Sequence, residues 1–114
     1  MEIKELIDRI VSFRNIREWK QFHNPKDLVI SLVLESSELL EHFQWKNEYE
    51  INDHIKDQKS DIANEIADVF YWVLLISHDF EIDLVDALMK KMIENEIKYP
   101  IDKSKGNHIK YNKL

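Results

Sequence analysis

The chain has 114 residues, which fits one domain built around a single hydrophobic core. Its net charge of −6 argues against a nucleic-acid groove, because phosphates are repelled by an acidic surface, and the absence of cysteine excludes disulfides and thiolate metal sites. The longest apolar run, Val69–Ile76, is too short to span a bilayer, and the N-terminus lacks a signal-peptide pattern, so we expect a cytoplasmic protein with no membrane partner.

Two long helices are predicted in the first part of the chain. Only one glycine and two prolines interrupt the sequence, which favours an all-α fold with short connections. Apolar residues at helical spacing predict a first helix from residue 2 to about residue 20. Asn24 and Pro25 predict the start of a second helix, as N-cap and first helical residue, and this helix should reach about Phe43. The polar stretch 45–53 breaks the periodicity and is expected to be a connection with one helical turn at most.

The second part of the chain predicts two more helices. The third runs from about residue 57 to residue 79 and is very apolar in its second half. Asp83 caps the fourth, which ends before Pro100 because a residue that precedes proline is pushed out of helical geometry. Its inner face is expected to hold Ala87, Leu88, Met92 and Ile93. These helices predict a four-helix bundle that forms one domain over residues 1–100. Residues 101–114 contain four lysines and the only glycine, and we expect a basic, flexible tail.

Two pairs of acidic residues lie in the apolar parts of the second and third helices: Glu35 with Glu38, and Glu65 with Asp68. Residues three apart share one face of a helix, with their Cβ atoms about 5–6 Å apart. Partly buried carboxylates that face one another repel strongly unless a cation lies between them. With 22 acidic residues in the chain, the spacing alone is weak evidence, and the apolar surroundings distinguish these two pairs. They predict a site for a hard divalent ion.

The histidines bear on which ion this is. None of the five has a glutamate three residues before it, so the Glu-x-x-His pairs of di-iron bundles are absent. Ligation by oxygen alone favours Mg²⁺, with Mn²⁺ as a substitute. Lys98, Lys103 and Lys105 offer positive charge for substrate phosphates. We therefore expect metal-dependent attack on a phosphoanhydride.

Several segments together resemble the all-alpha nucleotide pyrophosphohydrolase (MazG-like) superfamily, and most of all its dCTP pyrophosphatase branch. The resemblance covers nearly the whole chain and is carried by Arg17–Pro25, Leu34–Leu39, Phe43–Trp45, Glu65–Val69, Lys91–Met92 with Asn95, Lys98–Pro100, Lys103–Gly106 and Lys110–Tyr111. The acidic pairs alone are a loose motif. The tryptophan segments and Lys98-Tyr99-Pro100 make the resemblance specific.

The resemblance implies a Mg²⁺-dependent enzyme that cleaves a nucleoside triphosphate to the monophosphate and pyrophosphate. The substrate would be dCTP or a modified deoxynucleotide, removed to clean the nucleotide pool. It implies that the catalytic and metal-binding residues are Glu35, Glu38, Glu65 and Asp68. It implies phosphate contacts at Lys91, Asn95, Lys98 and Tyr99. It implies base contacts at Trp19 and Trp45.

Two positions depart from the family pattern. Ile10 stands where vertebrate members have a base-contacting histidine, and Trp72 stands where the family has a tyrosine. Both positions concern the base pocket, so the preferred base is left open while the metal site is unaffected.

The apolar surplus of the third helix raises a second question, that of assembly. Residues 70–75 cannot all face one core, and surplus apolar surface on a small domain marks an interface. We therefore expect a homodimer or homotetramer. An alternative function, from a different class, is a non-catalytic helical oligomerisation or adaptor module whose acidic pairs are surface charge. Carboxylates that converge on one point would favour the enzyme.

Overall fold

The computed structural model describes all 114 residues, and every regular element in it is helical. The α-helices are α1 Ile3–Ile16, α2 Pro25–Glu41, α3 Glu48–Asp57, α4 Lys59–Asp79, α5 Leu84–Lys98 and α6 Ile101–Ser104. Two 3₁₀ turns lie at Lys20–Phe22 and Tyr111–Lys113. The prediction of an all-α fold is confirmed. The chain forms two compact units, Met1–Glu81 and Ile82–Leu114. None of the helices combines the length and the apolar character needed to cross a membrane.

The helix starts follow the capping signals of the sequence. The side chain of Asn24 accepts a hydrogen bond from the Asp27 N–H at 2.9 Å, and the side chain of Asp83 accepts one from the Asp86 N–H at 3.0 Å. Each bond satisfies a backbone donor that the first turn of a helix leaves free. These local signals explain why α2 and α5 begin where the sequence predicted.

The region predicted as a connection is instead the ten-residue helix α3, so that prediction is wrong. Asn47 accepts a hydrogen bond from the Glu50 N–H at 3.0 Å, and the Glu50 carboxylate accepts one from the Asn47 N–H at 3.4 Å. This reciprocal pair is a capping box, which starts a helix even where the residues that follow are polar.

Three helix ends turn in the left-handed region of backbone space without glycine. Glu18, Trp45 and Glu81 have φ values of 56°, 67° and 55°. The turn at Glu18 ends α1, since the Trp19 N–H donates to the Arg14 carbonyl oxygen at 3.1 Å in a Schellman arrangement. The first helix is therefore shorter than predicted.

Helix α4 is the central element of the first unit. It packs most extensively against α2 and also contacts α1 and α3. The fully apolar part of the core consists of Leu28, Ile62, Leu74 and Leu75. Much of the apolar second half of α4 therefore packs in this core: Leu74 and Leu75 are buried, and Trp72 is half-buried.

A buried ion pair joins the C-terminal ends of α1 and α4. The Arg14 guanidinium, only 2% exposed, donates from Nη1 and Nη2 to the two carboxylate oxygens of Asp79 at 2.6 and 2.8 Å. Lys20 adds a third bond to Asp79 at 3.1 Å. Burial raises the pKa of Asp79, but hydrogen bonds from Arg14 and Lys20 outweigh it and leave the pKa below its usual value. The sequence pattern does not predict this pair, because Arg14 and Asp79 lie 65 positions apart.

The second unit leaves the predicted inner face of α5 exposed, so that prediction is wrong for the single chain. Leu88, Met92 and Ile93 are 59%, 44% and 56% exposed. Residues 101–114 are more structured than a tail, because they contain α6 and place the Tyr111 ring edge-on to Tyr99 at 6.0 Å between centroids. The predicted domain boundary at residue 100 and the mobility of residues 101–114 stay predictions.

Candidate metal centre

Four carboxylates from α2 and α4 converge in the first unit. Glu35, Glu38, Glu65 and Asp68 each offer one oxygen, and these four atoms all lie within 4.8 Å of one another. The convergence follows from local geometry, since each pair occupies one face of its helix and α2 packs against α4. The structure thus brings together all four carboxylates named from the sequence. Their roles as ligands and catalytic groups stay predictions.

Burial divides the cluster into two inner and two outer carboxylates. Glu35 and Glu65 are half-buried, and each keeps one buried oxygen without a hydrogen-bond partner, while Glu38 and Asp68 are exposed. Burial, followed by the closeness of Glu38, Asp68 and Glu65, raises the pKa of Glu35 to about 7. Burial also raises the pKa of Glu65, with Glu38 and Asp68 adding to the effect.

No salt bridge offsets this repulsion. The five salt bridges of the chain involve Asp79, Asp86 and Glu94 as their acidic partners, and none reaches the cluster. Carboxylates held this close need either a shared proton or a cation between them. The arrangement is therefore chemically suited to hold a cation through oxygen atoms.

The tryptophans proposed from the resemblance are accessible. Trp45 is 91% exposed, and Trp19 is 42% exposed with its ring edge-on to Phe13 at 5.6 Å between centroids. Trp72 is instead half-buried and packs edge-on against Tyr71 and His23. Trp45 is thus not a core residue, and contact of Trp19 and Trp45 with a base stays a prediction.

The predicted phosphate contacts belong to the second unit. Two of them, Lys91 and Lys98, pair with Glu94, which the sequence did not single out. Glu94 accepts from Lys98 Nζ at 2.6 Å and lies 3.5 Å from Lys91 Nζ. Glu94 follows Lys91 by three positions and precedes Lys98 by four, and this helical spacing could have predicted both ion pairs. Asn95 is half-buried, and Tyr99 borders a cavity of about 730 Å³. Phosphate binding by Lys91, Asn95, Lys98 and Tyr99 stays a prediction.

Two histidines also come together, which the sequence did not predict. His42 Nδ1 lies 2.8 Å from His54 Nε2, joining α2 to α3. His42 follows Glu38 by one helical turn, and a positive charge on its ring would oppose the rise in the pKa of Glu65. The sequence predicts a connection at residues 45–53 and a third helix only from about residue 57. His54 therefore belongs to no predicted helix, and its contact with His42 is not predicted.

Comparison with known proteins agrees with this geometry. The sequence profile of the MazG-like family matches residues 30–114. The dCTP pyrophosphatase 1 proteins of Mus musculus, Rattus norvegicus and Homo sapiens are 34%, 36% and 32% identical over 100 residues. Each alignment covers 86% of this chain and 59% of the relative, so the chain spans about three fifths of the length of these relatives.

A solved structure is similar over most of both chains. The crystal structure of a pyrophosphatase from Archaeoglobus fulgidus matches with a TM-score of 0.81 and 39% sequence identity. The match covers 85% of this chain and 91% of that chain. The family profile extends over well more than half of the sequence and includes both acidic pairs. The chain belongs to the MazG-like family.

Proposed function

We propose that this chain is a Mg²⁺-dependent nucleoside triphosphate pyrophosphohydrolase, which forms a nucleoside monophosphate and pyrophosphate. The observation that carries the proposal is the convergence of four carboxylates within 4.8 Å with no salt-bridge partner. The names of the relatives, dCTP pyrophosphatase 1 and pyrophosphatase, support the reaction and make dCTP the first substrate to test. The same convergence disfavours the adaptor alternative, in which the acidic pairs would point apart into solvent.

The residues present fit Mg²⁺. All the donors in the cluster are carboxylate oxygens, which Mg²⁺ prefers, and the unpartnered buried oxygens of Glu35 and Glu65 have no other use in the fold. Glu35, Glu38, Glu65 and Asp68 would hold the ion, and Mn²⁺ would replace it. When bound, Mg²⁺ supplies positive charge that attracts the triphosphate and neutralises charge developing on the leaving pyrophosphate.

The chain's own side chains supply the remaining chemistry. An inner carboxylate, Glu35 or Glu65, accepts a hydrogen bond from the attacking water, orients it toward the α-phosphorus and takes the proton that the water loses as its oxygen bonds to phosphorus. The bond between the α- and β-phosphates breaks, and pyrophosphate leaves with the electron pair. Lys91 and Lys98 donate hydrogen bonds to phosphate oxygens, helped by Asn95 and Tyr99.

A panel of triphosphates tests the proposal. Purified chain is incubated with each nucleotide and Mg²⁺, and the products are separated to show which bond was broken. We expect equal amounts of monophosphate and pyrophosphate, with dCTP or a modified deoxynucleotide preferred, no reaction in EDTA and recovery with Mn²⁺. Release of inorganic phosphate with a nucleoside diphosphate would contradict the proposal, as would full activity in EDTA.

Assembly into a homodimer or homotetramer is the proposal that best accounts for the exposed apolar side chains. Those on α2 are Val29, Ile30, Val33, Leu34 and Leu40. Those on α5 are Val85, Leu88, Met89, Met92, Ile93 and Ile97. Such runs exceed what a stable monomer of this size normally exposes. The surplus lies on α2 and α5 more than on the second half of α4, where the sequence had suggested it.

Light scattering at micromolar concentration is expected to show more than one chain per particle. Val33→Glu, which places a charge in the apolar surface of α2, should lower the particle mass because burying an unpaired charge is strongly unfavourable. Ser60→Glu, at an exposed position of α4, is the matched control and should leave the mass unchanged. A monomeric parent chain would contradict the proposed assembly.

Substitution of Trp45 tests the proposed base contact. Trp45→Ala should weaken substrate binding by about 1–3 kcal/mol, the usual contribution of an aromatic stacking platform. The loss should appear in KM rather than kcat, because stacking is similar in the ground and transition states. Lys98→Ala should lower kcat as well, since charge beside the phosphates matters more as the anhydride breaks. Steady-state kinetics on several triphosphates separates the two, and an unchanged KM in Trp45→Ala would assign the indole no part in binding.

The raised pKa of Glu35 makes the stability of metal-free protein depend on pH. With a folded-state pKa of about 7, above the usual 4.5, Glu35 holds its proton to higher pH in the folded state than in the unfolded chain. Raising the pH from 4.5 to about 7 therefore lowers the free energy of unfolding. Glu35→Gln should not show this decrease, because glutamine does not titrate. We expect the melting temperature of Glu35→Gln to exceed that of the parent at about pH 8, with the difference vanishing near pH 4, by thermal denaturation in EDTA. Glu41→Gln, at an exposed glutamate of α2, should show no such pH-dependent difference.

A further inference from the structure

The contact between His42 and His54 brings together two nitrogen donors, one from the C-cap of α2 and one from α3. The atoms His42 Nδ1 and His54 Nε2 are 2.8 Å apart, and both side chains are half-buried, so they remain open to an ion from solvent. Two nitrogen ligands about 2.0–2.1 Å from one metal ion lie about 2.9 Å apart at a right angle and about 3.4 Å apart in a tetrahedron. The observed separation is therefore close to the bite of a chelating pair, and both rings must turn away from the line between the two nitrogens for their lone pairs to reach one ion.

The surroundings of the pair favour a neutral His54 ring. Burial, followed by Lys46 and His42, holds the pKa of His54 below its usual value, which keeps this ring neutral and able to act as a ligand near neutral pH. Asp57 and Asp61 act on His54 with negative charge and oppose that shift. Asp61 precedes Glu65 by one turn on α4, so the negative charge of the carboxylate centre continues along the helix toward the histidines.

The donor type separates this pair from the carboxylate centre. Neutral imidazole is a ligand for borderline ions such as Zn²⁺, Co²⁺ and Ni²⁺, whereas Mg²⁺ selects oxygen. Within the contact, one ring nitrogen carries the proton that the other accepts. For both nitrogens to bind one ion, this proton moves to the other nitrogen of its own ring, and both imidazoles stay neutral.

We propose that His42 and His54 form a second metal site, selective for borderline divalent ions such as Zn²⁺, one helical turn from the carboxylate centre. Water completes the coordination, because only two protein nitrogens meet at this point. The site uses no residue of the proposed catalytic centre. The proposed zinc site can therefore be tested independently of the proposed hydrolysis.

Zinc binding to the full-length chain in excess Mg²⁺ tests the proposal, because Mg²⁺ fills the oxygen site and leaves the imidazoles free. Zn²⁺ is titrated calorimetrically into EDTA-treated, dialysed protein. We expect one retained Zn²⁺ per chain in the parent and also in Glu38→Gln. Removing even an outer-shell partner lowers metal affinity about 10–100-fold, so loss of a direct ligand in His42→Gln or His54→Gln should weaken binding at least about tenfold. Glutamine retains hydrogen-bonding groups, so these variants preserve a contact between α2 and α3.

His108→Gln, at an exposed histidine of the C-terminal segment, is the matched control and should bind Zn²⁺ like the parent. Visible absorption of Co²⁺ gives a second readout, since bands from nitrogen ligation should be present in the parent and absent from His54→Gln. The proposal is overturned if the parent retains no Zn²⁺ in excess Mg²⁺, or if both glutamine variants retain it undiminished. A purely structural hydrogen bond predicts the first of these outcomes.

Discussion

Glu38→Gln is expected to remove most of the turnover while leaving the fold intact. Glutamine preserves the shape of the side chain but takes one negative charge from a cluster whose four ligand atoms lie within 4.8 Å. Because loss of an outer-shell partner already lowers metal affinity or activity about 10–100-fold, loss of a direct ligand charge should lower kcat/KM by at least about 100-fold. Pyrophosphate release in Mg²⁺ measures the effect, and circular dichroism checks the helical content.

The control for this substitution lies on the same helix. Glu41→Gln removes the same charge from an exposed position outside the cluster, so it should retain nearly full activity. A folded Glu38→Gln protein that remains fully active with Mg²⁺ as the only metal would remove the carboxylates from the mechanism. Equal losses in both variants would point to net charge rather than to the site.

Asp79→Asn is expected to produce the largest loss of stability. Asparagine leaves the Arg14 guanidinium, only 2% exposed, without its counter-charge. Breaking a buried ion pair from one side is unfavourable by about 3–5 kcal/mol, because the remaining charge stays desolvated. Urea denaturation at neutral pH measures the change in the free energy of unfolding.

Lys20→Met provides the matched comparison for this ion pair. Lys20 also bonds to Asp79, but its side chain is 57% exposed, so its removal should lower stability by less than about 1 kcal/mol. If Asp79→Asn is as mild as Lys20→Met, the guanidinium is satisfied in some other way and the pair does not hold α1 to α4.

Features set by local sequence were predictable. Asn24 and Asp83 fix the starts of α2 and α5 through hydrogen bonds to residues three positions later. The carboxylate centre was predictable for a similar reason, since i,i+3 spacing places each acidic pair on one helix face. Helix α3 also has a local signal, the capping box of Asn47 and Glu50, but its polar composition obscures the helical periodicity.

Features that depend on packing were not predictable. Arg14 and Asp79 are separated by 65 positions, and nothing in the chain between them encodes their contact. His42 and His54 needed both α3 and its angle against α2 before they could meet. The apolar side of α5 shows a different limit, because periodicity identifies the apolar face of a helix but not whether this chain buries that face.

The left-handed turn at Trp45 combines a strained backbone with an exposed side chain. A non-glycine residue in this region is strained by about 1–2 kcal/mol, and glycine at the same position would avoid that strain. A strained residue is usually held in place by its own packing, yet the Trp45 indole is 91% exposed and contributes almost nothing to the core. Packing of the indole within this chain therefore does not offset the strain at residue 45. We expect contact of the indole with a molecule outside the chain to offset it.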